Sequence, residues 1–265
     1  MTEPLSIFDA ARQILTATDP AVKVSLSATA EAAWKSGEMT APKDPAPMPD
    51  RPGRPDKPEL IDPRDMPKRS TGGIAGRIAM LHAVAHIELN AIDLAWDMVG
   101  RFGPQVENPE FIDDWVRVAA EEARHFALIR ERLQQLEADY GGLPAHDGLW
   151  EAAIYTSDSV LARLAIVPLV LEARGLDVSP QMAARFRKSQ DEESAKRLDL
   201  IYQEEIGHVG IGMKWFKSLC AKMGQDPVLT YKSLVAKRFK STLRPPFNEA
   251  ARTQAGLLPA FYQSP

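Results

Sequence analysis

The chain has 265 residues, 45% of them hydrophobic, which is enough apolar material for a sizeable core and more length than one common domain needs. Its formal net charge of −4 excludes general nucleic-acid or membrane-surface binding by bulk electrostatics. A single cysteine, Cys220, excludes an intrachain disulfide and a thiolate-rich metal site.

Met1-Thr2-Glu3-Pro4 lacks the basic and apolar regions of a signal peptide. Arg163 and Glu172 interrupt the longest apolar run, so no unbroken run approaches membrane-spanning length. The expected location is the cytoplasm, with no membrane partner. Residues 5–37 read as one or two amphipathic helices, from Ile7, Ala10, Ala11, Ile14 and Leu15 and then Val22 to Trp34. Residues 41–67 carry nine prolines, a density that forbids helix and sheet and predicts an extended arm lying along the bundle.

A helical bundle is expected to start near Ser70, behind the Thr71-Gly72-Gly73 break. Its first helix holds Glu88 and ends in a turn at Gly100–Asn108. Asn108, with Pro109 and Glu110 behind it, is a good N-cap for the second helix, and Asp158 and Asp191 are good N-caps for the third and fourth. Residues 141–157 form the crossover, with a short helix at Leu149–Tyr155. Pro168 should kink the third helix one turn before Glu172. Gly175 and Pro180 should end it, leaving residues 180–189 as a separate short helix. Beyond the fourth helix, Lys232, Lys237, Arg238, Lys240 and Arg244 make the chain locally basic: a solvated helix face or an anion-binding surface. The expected division is an N-terminal part and arm at 1–69, a bundle at 70–223, and a C-terminal helix and tail at 224–265.

Two Glu-Glu-x-x-His quartets dominate the chemistry: Glu121 to His125 and Glu204 to His208. One Glu-x-x-His is unremarkable. Here Glu88 precedes Glu122 by 34 residues and Glu172 precedes Glu205 by 33. Helix positions i and i+3 share a face, so Glu and His at that spacing can bind one ion together. The four glutamates each lie among apolar residues at helical spacing, such as Leu81, Val84, Ala91 and Ile92 around Glu88. Burying several unpaired carboxylates is costly, and two divalent cations would neutralise four of them. Asn108, Asp158 and Asp191 each lie 14 residues before a ligand glutamate, so the three sit about 21 Å along their helices. His86 lies about 200° around the helix from Glu88; His82 and His86 are therefore expected to pack against the N-terminal arm. Tyr202 is expected in the core.

These residues resemble the ferritin-like superfamily of non-haem di-iron carboxylate proteins, whose bundles take a lone Glu from each of two helices and a Glu-x-x-His from each of the other two. The stretches His82 to Leu89, Glu172 to Asp177 and Asp199 to Trp215 are most similar to a ferritin-like family of unknown function, domain-of-unknown-function family 455. The resemblance implies an all-α, ferritin-like four-helix bundle with a crossover connection, preceded by the N-terminal helices and the extended Pro-rich arm. It implies a dinuclear centre of iron, or of manganese or zinc, held by Glu88, Glu122, His125, Glu172, Glu205 and His208, with Glu122 and Glu205 bridging. In di-iron oxygenases and the small subunit of class I ribonucleotide reductase, an acid just before each Glu-x-x-His holds the histidine of the other half. Carried over, Glu121 would hold His208 and Glu204 would hold His125, with Glu where those relatives usually carry Asp.

The chemistry implied is activation of O2 to oxidise or hydroxylate a C–H or N–H bond of an unidentified substrate, with an electron-donor protein as partner and a monomer or dimer as the working form. A tRNA hydroxylase uses a similar ligand pattern, so a tRNA-directed hydroxylase is an alternative, with residues 232–244 as the nucleic-acid contact. Iron storage and a redox-silent structural protein are the others.

Overall fold

A computed structural model describes residues 6–67 and 73–263. The chain is all-α: no strand occurs among the described residues, which hold only two isolated bridges, Ser6 with Thr40 and Leu60 with Ala145. It forms two compact units, residues 1–150 and 151–265, with a boundary inside the expected 70–223 segment. The expected bundle start at Ser70 and its glycine break at residues 71–72 lie outside the described residues.

In the first unit, α1 (Ile7–Thr16) starts at an N-cap, Ser6, whose side chain accepts from the Asp9 amide. Helix α2 (Pro20–Lys35) starts at Asp19 with proline in its first turn. The long α3 (Gly73–Asp97) runs into a π-helical segment at Met98–Phe102 and the short α4 (Gly103–Val106). The expected turn at Gly100–Asn108 is therefore mostly helical. The chain reverses only around Glu107, which is left-handed at φ 53°, and Asn108, which caps α5 (Pro109–Gln135) as expected. Helices α3 and α5 pack as a hairpin, with Leu81, Ile92, Trp96, Phe111, Trp115 and Phe126 buried.

Helix α3 and its extension, Gly73–Val106, are long and apolar enough by composition to cross a membrane, unlike any unbroken run. Their most apolar stretch is 72% buried inside the protein, so its apolar side chains already have protein partners. The Pro-rich arm is non-helical, as its prolines require, and is pinned to this unit. Arg101 Nη2 donates to the Pro49 carbonyl at 2.7 Å, Trp150 Nε1 to the Asp50 carbonyl at 2.9 Å, and the Gly53 amide to the Leu15 carbonyl at 2.8 Å. Gly53 passes so close to the end of α1 that no side chain would fit there.

A short α6 (Gly148–Ile154) leads to the second unit, where α7 (Val160–Ile166) is capped by Ser159 rather than by the expected Asp158. Buried Arg163 donates to Thr156 Oγ1 and the Ala153 carbonyl, at 2.8 Å each. Pro168 does distort the helix: Val167–Glu172 is π-helical, then α8 (Ala173–Lys188) continues. Tyr231 Oη donates to the Leu169 carbonyl at 3.1 Å inside that segment, and Gly212 gives Pro168 room.

Helix α8 does not end at Gly175 or Pro180, and residues 180–189 are not a separate helix. Pro180 removes the amide that the Leu176 carbonyl would otherwise accept from. Asn248 Nδ2 supplies the missing donor at 3.1 Å, and the helix runs through. Helix α9 (Glu192–Lys222) starts at Asp191 as expected. Helices α10 (Pro227–Arg238), α11 (Glu249–Gln254) and α12 (Pro259–Tyr262) complete the unit. Arg252 of α11 is locked to Asp177 of α8, with Nη2 to Oδ2 at 2.7 Å.

Candidate metal centre

In the first unit the α3–α5 hairpin brings three expected ligands together. Glu88 and Glu122 stand midway along their helices, His125 follows Glu122 by one turn, and all three are buried. Their positions follow from the hairpin: residues 88 and 125 lie 19 and 18 positions from its turn at Glu107. His125 Nδ1 lies 3.3 Å from Glu122 Oε2 and 3.4 Å from Glu88 Oε2. One ligand atom from each lies within 4.8 Å of the others.

Those separations are informative. A direct charge-assisted N–H···O bond prefers about 2.7–2.9 Å. Two donor atoms each about 2.0–2.2 Å from one ion, at angles between octahedral and tetrahedral, stand about 2.8–3.6 Å apart. The triad's 3.3 and 3.4 Å separations fit that range, longer than a strong charge-assisted hydrogen bond but still within hydrogen-bond reach. Its electrostatics agree. Burial opposes charge on His125, but Glu122 and Glu88 outweigh it and push the imidazolium pKa up to about 11. The pocket demands positive charge, and a divalent ion would displace that proton. This cluster could hold a metal ion; nitrogen and carboxylate oxygen donors suit iron, manganese or zinc.

The second unit carries the matching quartet on α9. Glu205 and His208 are buried, with His208 Nδ1 3.7 Å from Glu205 Oε1. Glu172 closes the π-helical segment and is half-buried. The preceding acids differ from both ligand sets: Glu121 is half-buried with Oε1 4.0 Å from Arg124 Nη2, and Glu204 is half-buried on α9.

His82 and His86 hydrogen-bond to the 140–146 segment, and Arg54 of the arm also lies near His86, since both reach Asn90. His82 Nε2 accepts from the Gly141 amide at 3.0 Å. His86 is neutral, because burial pushes its pKa down to about 4. Its Nε2 lies 2.9 Å from the His146 carbonyl, which can only accept, so the ring proton sits there; Tyr140 then donates its hydroxyl to Nδ1 at 2.8 Å. Tyr202 is half-buried, and its hydroxyl accepts from Asn248 Nδ2 at 3.0 Å.

Sequence reasoning missed a buried ion pair. Lys23 of α2 reaches Asp93 of α3, and both are almost fully buried. Lys23 Nζ also donates to the Ile14 and Leu15 carbonyls at 3.2 and 3.0 Å, capping the end of α1. Asp93, set between Ile92 and Leu94, was the available signal. Lys23 was not, since lysine between two valines reads equally well as a solvated position.

An all-α protein with a buried carboxylate–histidine cluster able to hold a metal ion is the class these features define. The chain belongs to the family described as protein of unknown function (DUF455), which matches residues 16–263. It is 43% identical over 207 residues to a Haemophilus influenzae protein described as uncharacterized, covering 76% of this chain and 72% of that one. No solved structure matches it.

Proposed function

We propose that the chain is a cytoplasmic ferritin-like four-helix protein in which the two quartet-bearing hairpins close on a pair of metal ions, and that it oxidises or hydroxylates an unidentified substrate with O2. The observation that carries this reading is the buried Glu88–Glu122–His125 triad at ion-sharing distances. The second quartet repeats the motif, with Glu172 in the place of Glu88. Glu88, Glu122 and His125 would hold one side of the pair, and Glu172, Glu205 and His208 the other. An iron pair supplies the electrons that reduce O2, which a redox-silent ion cannot.

The protein's own residues bind and orient. Neutral His125 would present Nδ1, and buried apolar residues one turn from the ligands, such as Ile92 beside Glu88 and Ala119 beside Glu122, would exclude water, which strengthens charge interactions inside. Glu121 and Glu204 would fix the imidazoles of the opposite quartet by accepting their second N–H. The reaction also needs an electron donor.

Anaerobic loading with Fe(II), metal counting, and absorption spectroscopy on admitting air test the proposal. About two irons per chain and a transient coloured species support it. Stable uptake with no response to air would leave a metal-binding structural protein. The tRNA-directed alternative draws on the basic 232–244 segment, but part of that charge is engaged internally. Arg238 pairs with Asp158 at 2.7 Å, and Lys240 lies over the Tyr155 ring at 3.8 Å.

A further inference from the structure

Pro168 and the π-helical turn around it have a common cause. Helix α7 bonds in the α pattern up to Val167, whose amide donates to the Arg163 carbonyl. Pro168 has no amide, so in that pattern the next carbonyl, Leu164, would go without a donor. Bonding from i to i−5 cures this, because the Leu169 amide then falls opposite Leu164. At the far end of the turn, the Ala173 amide is shared between the Pro168 and Val170 carbonyls and so bypasses Leu169. From Arg174 the α pattern of α8 resumes, and the acceptor it reaches is Val170. The switch from π to α therefore passes over one carbonyl, that of Leu169.

Tyr231 of α10 supplies what the turn omits. Its hydroxyl donates to the Leu169 carbonyl at 3.1 Å. The residue is fully buried, with its ring centroid 6.1 Å from that of Phe216 and 5.6 Å from that of Phe261. A buried carbonyl without a donor and a buried phenol without an acceptor would each cost stability, and here the two needs cancel. Gly212 of α9 makes room for the turn, since a side chain there would strike Pro168. Gly212 lies one turn beyond His208, and Pro168 one turn before Glu172.

Glu172 closes the turn, so the extra residue held there decides its direction. Relative to α7, the π turn rotates Glu172 by about one residue's worth, roughly 100° at 3.6 residues per turn. We infer that Tyr231 is a positioning residue for Glu172: its hydroxyl locks the π turn and so fixes the direction from which the Glu172 carboxylate meets a metal ion. The effect runs through the backbone from Leu169 to Glu172. It rests on the dinuclear reading above, in which Glu172 is a ligand.

Zn(II) titration of the full chain against a competing chelator, with metal counting, is the test. Sucrose, which favours the folded state, is added throughout so that a destabilised variant is read while folded, as far-UV circular dichroism verifies. Tyr231→Phe removes the hydroxyl and keeps the ring. It should retain the first ion and bind the second about ten-fold more weakly, comparable with the loss of one hydrogen bond. Phe261→Leu loosens the packing on Tyr231 but keeps the hydroxyl; it should lower the melting temperature and load both ions as the wild type does. Unchanged affinity in Tyr231→Phe, or equal weakening in Phe261→Leu, would overturn the inference and leave the dinuclear reading standing. Fewer than two ions on the wild type would sink that reading, and this inference with it.

Discussion

Lys23 and Asp93 show what a buried pair asks of its surroundings. Removing one partner strands the other charge, a change that typically costs about 3–5 kcal/mol, whereas replacing both by apolar residues of similar volume can be nearly neutral. Lys23→Met should therefore destabilise the protein strongly in urea unfolding, and the Lys23→Met/Asp93→Leu double variant should recover most of the loss. A pH effect accompanies the pair. Burial outweighs the Lys23 ammonium and pushes the Asp93 carboxyl up to about 6, above its ordinary 3.8. Between those values the native state binds more protons than the unfolded state, so stability falls as pH rises from about 4 to about 6. That part of the pH profile should be missing from the double variant. Glu122 obeys a different logic. Glu122→Gln removes a buried negative charge from the triad and should leave the metal-free protein at least as stable, while metal analysis shows fewer ions retained. Equal retention would remove Glu122 from the ligand set.

At the scale of elements, two prolines act inside one bent helical run, and each is accommodated differently. Pro168 lies in a π-helical segment whose Leu169 carbonyl is taken by Tyr231. Pro180 lies in regular helix because Asn248 replaces its missing donor. Asn248 also caps α11 by accepting from the Ala251 amide at 3.2 Å. Asn248→Ala thus loses a cap and leaves a helix carbonyl short of a donor, and should cost about 1–3 kcal/mol by thermal or denaturant unfolding. Gly212→Ala meets Pro168 directly, so it should destabilise the protein although alanine favours helix.

For the whole molecule, the proposed ion pair predicts coupling between the quartets. A ligand that binds only the native state at 100 times its dissociation constant stabilises by about 2.7 kcal/mol. Redox-silent Zn(II) should raise the melting temperature in a concentration-dependent, chelator-reversible way. Hydrogen exchange should then slow in Pro109–Gln135 and Glu192–Lys222 alike. Slowing confined to residues 73–135 would reduce the centre to the first unit's triad.

Local pattern alone determined much of this protein. The quartets, the prolines of 41–67, and the caps at Asn108 and Asp191 are read within one or two helical turns, and a helix's face and start depend on neighbours that close. The pairing of Glu88 with Glu122 and His125 was legible too, because a hairpin makes contact between positions equidistant from its turn. What tertiary structure decided is every feature whose partner lies far along the chain. Proline at 180 predicts a stop until Asn248 supplies a donor from 68 residues away. His82 and His86 read as packing against the arm, and only the fold shows that residues 140–146, some 60 positions on, supply hydrogen-bond partners. Lys23 reads as solvated until Asp93 meets it 70 residues on. Hydrogen-bond and charge satisfaction is counted in space, and the chain order of residues does not carry that count.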